Sequence, residues 1–350
     1  MMDGLCKLYD KFGRIHIIWL SFFILHFLLG TAVLRAEENR YAASSAMSTG
    51  KWVKVRVDQT GIYKLTYVEL KKMGFADPSK VSVHGYGGWP LEEDFSQPYI
   101  DDVPATAVWR GESFLLFYAR GPIKWAYNRS NNTFEHTNNP YATYGCYFIT
   151  DATDTKEMQT AAKGQGATLQ VKSFDDYLLH EKELVSVNYS GRELYGESFE
   201  TNLSQDFSFS MPGITQADGK ATLRFIAKAK TGETTVKLSV DGQQVIQARM
   251  SSSSANDSYT KANVIKQVGY WSGEKSEKFK VNVLYGTTGH ENVRLDYIRM
   301  QAQRTLKPYG AYTFFRSIAS IGNSSRFVIE GADTHSVVFD VTDPVNPKRI

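Results

Sequence analysis

Apolar and polar residues alternate along much of the chain, which is the pattern of β-strands that bury one face. The clearest case is Trp52–Val57, in which three valines fall on the same face. A turn at Asp58–Gly61 follows, and Ile62–Leu65 continues the extended pattern. We therefore predict that these two strands pair as a β-hairpin. Further strands of this region are predicted at residues 81–85, 105–109, 113–118, 125–128 and 144–150, with the Asn-rich segment 129–141 as a loop.

One helix is predicted directly after this pair of strands. Thr66 and Glu69 have the spacing of a capping box, in which each side chain bonds to the backbone N–H of the other residue. Gly74 stands where a residue in the left-handed conformation commonly ends a helix. Pro78 then prevents the helix from continuing.

Short strands at fairly even spacing recur in the second half of the chain. Asp241-Gly242 separates two of them and is a typical tight hairpin turn. This pattern predicts an antiparallel sandwich of the jelly-roll or immunoglobulin type. Val171–Val187 is ambiguous between a helix and a strand. The predicted strands are 199–201, 206–211, 221–228, 234–240, 243–250, 278–285 and 293–301.

These patterns predict a mostly β fold. It consists of two antiparallel β-sandwich or barrel-like domains, with one short helix in the first, followed by a short C-terminal β segment. The predicted segments are a signal peptide (1–36), a flexible leader (37–49), an N-terminal β domain (50–155), a β-sandwich domain (166–304) and the start of a further β unit (305–350).

The N-terminus has the features of an export signal. An apolar run from Ile15 to Gly30 follows three basic residues and ends in small side chains. The run is short for a membrane-spanning helix, which needs about 20 apolar residues. We predict cleavage after Ala36, and the alternative is an N-terminal anchor that is retained. The protein is therefore expected to be exported, either to the periplasm or to the cell surface and outer membrane.

The composition excludes several classes of protein. A chain of 350 residues with 42% apolar residues can bury a large core, which excludes intrinsic disorder as its main state. Its two cysteines are too few for a disulfide-stapled scaffold or a cysteine-rich zinc site. The net charge of +3 is too small and too scattered to indicate nucleic-acid binding.

The sequence contains no recognisable catalytic or metal-binding motif. Cys146 shares a predicted strand face with Phe148, so we expect a buried structural thiol; a catalytic thiol is the alternative. Asp175-Asp176 and the pair Asp340 and Asp343 could hold calcium, although loop carboxylates more often cap turns. We predict no catalytic residue, no metal and no cofactor for this chain.

Aromatic residues near predicted loops are the remaining signal for a binding site. Aromatic rings on the rim of a sandwich can stack on the faces of sugars or on peptides, whereas most aromatic residues simply fill cores. The candidate surface-binding residues are Trp89, Trp125, Tyr270 and Trp271, with Tyr127 close by.

Several short motifs resemble the N-terminal region of the gingipain-type (PorU-like) sortases of the type IX secretion system of Bacteroidota. They occur in the order of that family and extend over about residues 50–345. Their shared order along the chain, rather than any single motif, carries the resemblance. The motifs are Gly50–Val57, Thr60–Thr66, Leu70–Phe75, Asp77–Val81, Tyr86–Gly88, Leu116–Pro122, Asn139–Gly145, Leu295–Ile298 and Phe339–Pro344.

The resemblance implies an exported cysteine peptidase with a His/Cys dyad in a caspase-like domain. In that family the domain follows the region matched here, so no position of this chain corresponds to a catalytic residue. We therefore expect a non-catalytic scaffold or docking region, either an incomplete gene product or a split partner. Its partners would be type IX secretion components or the outer-membrane surface. The alternatives are an exported glycan- or surface-binding sandwich protein and a free-standing thiol enzyme that uses Cys146.

Overall fold

The structure is a computed structural model that describes residues 41–97, 100–162, 164–187, 189, 191–215, 218–229, 232–253, 259–272 and 276–350. The predicted export signal, with its cleavage site at Ala36, lies outside these residues. The described residues divide into two compact units, one that includes 41–51, 91–97 and 100–104 and one that includes the described residues of 52–90 and 105–350. In the first unit Ala46–Ser48 form a 3₁₀ turn, and the Ser45 hydroxyl donates to Asp102 (2.8 Å).

The second unit begins with strands that form two packed sheets and a separate hairpin. The elements are β1 (Trp52–Val57), β2 (Gly61–Thr66), α1 (Tyr67–Lys72), β3 (Ser82–Gly87), β4 (Ala105–Thr106), β5 (Val108–Arg110), β6 (Phe114–Ala119), β7 (Ile123–Asn128), β8 (Thr133–Asn138) and β9 (Gly145–Thr150), with a 3₁₀ turn at Pro78–Lys80. The sheet orders are β1-β9-β3-β4 and β2-β6-β5, and β7 pairs with β8. Side chains from both larger sheets form one core, which includes Val57, Leu115, Phe117 and Ile149.

The predicted hairpin of β1 and β2 is wrong, although both strands exist. β1 pairs with β9, and β2 pairs with β6. The short turn between them carries the chain from one sheet to the other, so that both strands contribute to the same core. The predicted loop 129–141 is also wrong in part, because it contains β8.

The predicted helix is confirmed as α1, with the capping box complete. The amide of Glu69 donates to Thr66 Oγ1 (3.2 Å), and the amide of Thr66 donates to Glu69 Oε2 (2.8 Å). Among the residues that the structure describes, no helix has both the length and the apolar character needed to cross a membrane.

The second sandwich consists of two four-stranded antiparallel sheets. Its strands are β12 (Ser173–Glu181), β13 (Ser204–Ser210), β14 (Gly219–Lys228), β15 (Thr234–Val240), β16 (Gln243–Met250), β17 (Asn263–Trp271), β18 (Lys278–Tyr285) and β19 (Glu291–Thr305). The orders are β12-β19-β14-β17 and β13-β18-β15-β16. Asp241-Gly242 joins β15 and β16 as predicted. The ambiguous stretch is the strand β12, whereas the predicted strand 199–201 is absent and Phe199 lies in the core.

The C-terminal segment pairs with the connection between the two sandwiches. Its strands are β20 (Ser325–Phe327), β21 (Phe339–Asp340) and β22 (Lys348–Arg349), with a 3₁₀ turn at Ile318–Ser320, and the connection supplies β10 (Gln159–Thr160) and β11 (Leu169–Val171). β10 runs parallel to β22, and β11 runs parallel to β20. The mostly β class with antiparallel sandwiches is confirmed, and the described residues contain one α-helix and no closed barrel.

Candidate functional site: the Trp89 cluster and the adjoining cleft

The four predicted surface aromatics lie in different environments. Tyr270 is 70% exposed, whereas Trp271 is only 5% exposed and packs on Phe279. The expectation that Trp271 presents its ring at the surface is therefore wrong, because consecutive residues of a strand point to opposite faces. Trp125 is half-buried and stacks on the Tyr177 ring at 3.7 Å between centroids. A role of these rings in binding a ligand stays a prediction.

Trp89 is half-buried and lies at the centre of a cluster of cations and rings. The Arg120 guanidinium carbon lies 5.4 Å from the centroid of the Trp89 ring and 4.3 Å from that of Tyr86. Lys124 Nζ lies 5.8 Å from the Trp89 centroid. All three distances are within the range of cation–π attraction. We call Trp89, Arg120 and Lys124 the Trp89 cluster.

Three of the sequence motifs that carry the family resemblance meet beneath this cluster. The amide of Gly88 donates to the carbonyl of Arg120 (2.8 Å). Asn139 donates from its side chain to Gly88 O (2.9 Å) and from its backbone to Pro122 O (3.0 Å). The motifs at 86–88, 116–122 and 139–145 thus form one hydrogen-bonded junction, which their separation in the sequence does not reveal.

Gly87 is required for this close packing. Its φ angle is 90°, a conformation that residues with a Cβ rarely adopt, and a Cβ there would lie 2.6 Å from Arg120 O. The Tyr147 hydroxyl accepts a hydrogen bond from the backbone N–H of Arg120 (2.9 Å). Burial raises the pKa of the Tyr147 phenol, which therefore stays neutral and acts as a fixed hydrogen-bonding group.

A wide cleft of about 2480 Å³ adjoins the cluster, and Trp89 is part of its wall. Pockets for small molecules commonly measure about 300–1,000 Å³, so this cleft has the size for a polypeptide or a glycan chain. Aromatic side chains from the first half of this unit and from the C-terminal segment line it. They include Tyr118, Trp125, Tyr312, Phe314 and Phe339.

A polar contact that the sequence did not reveal joins the β7–β8 hairpin to the second sandwich. His136 Nε2 lies 3.1 Å from Glu181 Oε2. Asn138 Nδ2 donates to both Glu181 (2.8 Å) and Glu183 (2.9 Å). Burial raises the pKa of Glu183. Alternation along β8 predicts that polar side chains such as His136 and Asn138 point away from a core. That the second sandwich packs against this face of β8 is decided only in the folded chain.

Glu181 belongs to β12, and in the same sheet of the second sandwich Asp296 of β19 forms an ion pair with Arg224 of β14. Burial raises the pKa of Asp296 to about 6, although the guanidinium opposes this shift.

The carboxylates that were candidates for calcium ligands accept hydrogen bonds from other groups of the protein. Asp176 accepts hydrogen bonds from Arg304 (2.6 Å) and Arg316 (3.1 Å). Asp175 Oδ2 accepts from the amide of Ile318 (2.7 Å). Asp340 and Asp343 accept from backbone amides two residues further on, as in capping turns. No group of three or more potential metal ligands occurs in the part of the chain that the structure describes.

Cys146 is half-buried on β9, which corrects the expectation of a fully buried thiol. The core side of β9 carries Tyr147 and Ile149, so Cys146 and Phe148 share the outer face. Four histidines interact with groups other than this thiol: His84 with Thr153, His136 with Glu181, His180 with Glu197, and His290 with Tyr285. These contacts give no support to a Cys/His catalytic pair.

No protein-family model and no curated protein sequence matches the chain. The crystal structure of dimeric latent PorU from Porphyromonas gingivalis is similar, with a TM-score of 0.84 and 32% identity. The match covers 92% of this chain and 31% of the PorU chain, so this chain spans about a third of the length of that protein. The resemblance to a PorU-like N-terminal region, proposed from the sequence motifs, is confirmed.

Other solved structures overlap far less. A family 35 carbohydrate binding module from Clostridium thermocellum has 14% identity and a TM-score of 0.23, covering 36% of this chain and 91% of that chain. The insecticidal delta-endotoxin Cry8Ea1 from Bacillus thuringiensis has 11% identity and a TM-score of 0.24, covering 63% of this chain and 41% of that chain. Similarity at this level supports no conclusion about function.

Proposed function

We propose that the chain serves as a non-catalytic scaffold and docking region of a PorU-like sortase of the type IX secretion system. The similarity to PorU over 92% of the chain carries this proposal. Two sandwiches with separate hydrophobic cores provide a rigid support, and the aromatic cleft provides a surface on which another polypeptide can pack. The site of action is the periplasm or the outer-membrane surface, with type IX secretion components as partners.

The C-terminal segment is the part of the chain that we assign to docking. It supplies one wall of the cleft, and several of its large apolar side chains are exposed, including Tyr312 (47%), Ile321 (45%) and Val345 (42%). Exposed apolar side chains beside a wide cleft are typical of a protein–protein contact. The peptidase-bearing remainder of a PorU-like sortase is the partner that this proposal requires.

A binding experiment tests the proposal directly. The full chain is mixed with Porphyromonas gingivalis PorU from which the matched region has been removed, and the complex is measured by size-exclusion chromatography with light scattering. We expect a one-to-one complex that Tyr312→Asp disrupts. Tyr270→Asp is the matched control, because Tyr270 is also exposed but does not line the cleft. Failure to form a complex, or equal loss with both variants, would contradict the proposal.

A second candidate function is the binding of a glycan, and the exposure of Tyr270 favours it. The ring lies on the surface with Lys220 Nζ 5.7 Å from its centroid, an arrangement that could stack on a sugar carrying a negative charge. The test is a glycan array with the full chain and with Tyr270→Ala. Binding that the substitution abolishes would support this function, and an array without signal would exclude it for the glycans presented.

A further inference from the structure

Arg120 is a buried cation that lacks a counter-charge. Its residue exposure is 6%, and its Nε donates to no acceptor in the part of the chain that the structure describes. Among the described residues, no carboxylate forms an ion pair with it. Buried charged groups are normally paired, because removal from water is costly for an ion that has no partner.

The neighbouring rings stabilise this charge only in part. Tyr86 and Trp89 attract the guanidinium through their ring faces but offer its Nε no hydrogen-bond acceptor. The indole Nε1 of Trp89 is itself a buried donor that meets no acceptor among the residues described. Arg120 Nε and Trp89 Nε1 are thus two neighbouring donors without a hydrogen-bond partner among the described residues. Most buried polar groups in proteins have such a partner.

Lys124 adds a second positive charge to the same place. Its side chain is exposed, its ammonium lies near the Trp89 ring, and it makes no ion pair within the described part of the chain. The cluster thus combines a buried guanidinium, an exposed ammonium and a buried indole N–H beside a cleft that Trp89 lines, and no carboxylate of the described residues pairs with either cation.

We propose that the Trp89 cluster is a binding site for an anionic group, a carboxylate or a phosphate, on a ligand that enters from the cleft. Guanidinium groups bind both anions through paired N–H donors, and an ammonium adds an unoriented charge. The hydrogen-bonded junction of Gly88, Pro122 and Asn139 holds the Arg120 backbone in place before the ligand arrives. This inference does not depend on the proposed role in a sortase.

The indole N–H of Trp89 gives a direct measurement of binding. The full chain is labelled with ¹⁵N, the Trp89 signal is assigned by comparison with Trp89→Phe, and the protein is titrated with inorganic phosphate and, separately, with acetate. Sodium chloride at equal ionic strength is the control. We expect a saturable shift of this signal, and the anion that binds more tightly distinguishes a phosphate-bearing ligand from a carboxylate-bearing one.

Substitutions distinguish anion binding at the Trp89 cluster from a general effect of ionic strength on the protein. Lys124→Gln is expected to weaken binding about tenfold, since it removes one charged donor from an exposed position. Arg120→Lys keeps the charge but removes the paired donors, so it should weaken binding as well. Lys278→Gln, an exposed lysine of the second sandwich, should have no effect. The absence of a saturable shift with both anions, or an unchanged affinity in Lys124→Gln, would overturn the proposal.

Discussion

The contact between Asp176 and two arginines offers a quantitative test of how the C-terminal segment is held. Asp176 accepts a hydrogen bond from Arg304 of β19 (2.6 Å) and one from Arg316 of the C-terminal segment (3.1 Å). The three side chains are only 12–23% exposed. Replacement of Asp176 by alanine therefore leaves two largely buried guanidinium groups without their shared carboxylate.

The structure sets the expected size of this loss. Hydrogen bonds to charged groups contribute about 1.5–3 kcal/mol each, and a broken buried pair costs about 3–5 kcal/mol. Both arginines keep one other acceptor, Pro212 O for Arg304 (2.7 Å) and Asp175 O for Arg316 (3.1 Å), which reduces the loss. We expect Asp176→Ala to lower the free energy of unfolding by about 2–4 kcal/mol.

Urea unfolding of the full chain measures this change, and hydrogen exchange locates it. The amide of Ile318, which donates to Asp175, should lose protection in the variant. Asp206→Ala is the matched control, because Asp206 is 51% exposed and pairs with Lys280 at 3.3 Å, so its loss should cost far less than that of Asp176. If both variants lose the same stability, the reasoning about burial is wrong.

Three further predictions concern single side chains. Gly87→Ala should destabilise the fold by more than about 1 kcal/mol, seen as a lower Tm, because φ is positive and Arg120 O blocks the Cβ. Trp271→Ala should cost about 3–5 kcal/mol in urea unfolding, whereas Tyr270→Ala at the exposed neighbouring position should change stability by at most about 0.5 kcal/mol; equal effects would refute their opposite orientation. Asp296 has a pKa of about 6 in the folded state, above its ordinary 3.8. Between these pH values the folded state therefore binds more protons than the unfolded state. The free energy of unfolding should rise by about 2–3 kcal/mol as the pH falls through this window. Unfolding free energies measured from pH 7 to 4 should show this gain in the wild type relative to Asp296→Asn, and parallel curves would contradict it.

Local features of the chain were predictable because they depend on residues close in sequence. The capping box of Thr66 and Glu69 and the turn at Asp241-Gly242 need only neighbouring backbone groups, and both are present. Strand alternation likewise identified the buried face of β1. The ordered motifs predicted the resemblance to a PorU-like N-terminal region, which the structural comparison confirmed.

Pairing between distant segments was decided by the tertiary structure. Alternation shows that a strand has a buried face but not which strand lies beside it, so β1 and β2 were predicted as a hairpin although they lie in different sheets. The parallel pairs β10–β22 and β11–β20 join segments more than 150 residues apart, and no short-range pattern indicates them.

The same distinction applies to the candidate site. The sequence indicated Trp89 as an aromatic residue near a loop. That no described carboxylate pairs with Arg120, and that Lys124 approaches the Trp89 ring, depend on segments that meet only in the folded chain. The composition of the sequence and its alternation of apolar and polar residues determined a mostly β protein with enough apolar surface for large cores. Which polar groups those cores leave without partners, and hence where a ligand can bind, depended on three-dimensional packing, because burial and hydrogen bonding are properties of neighbours in space.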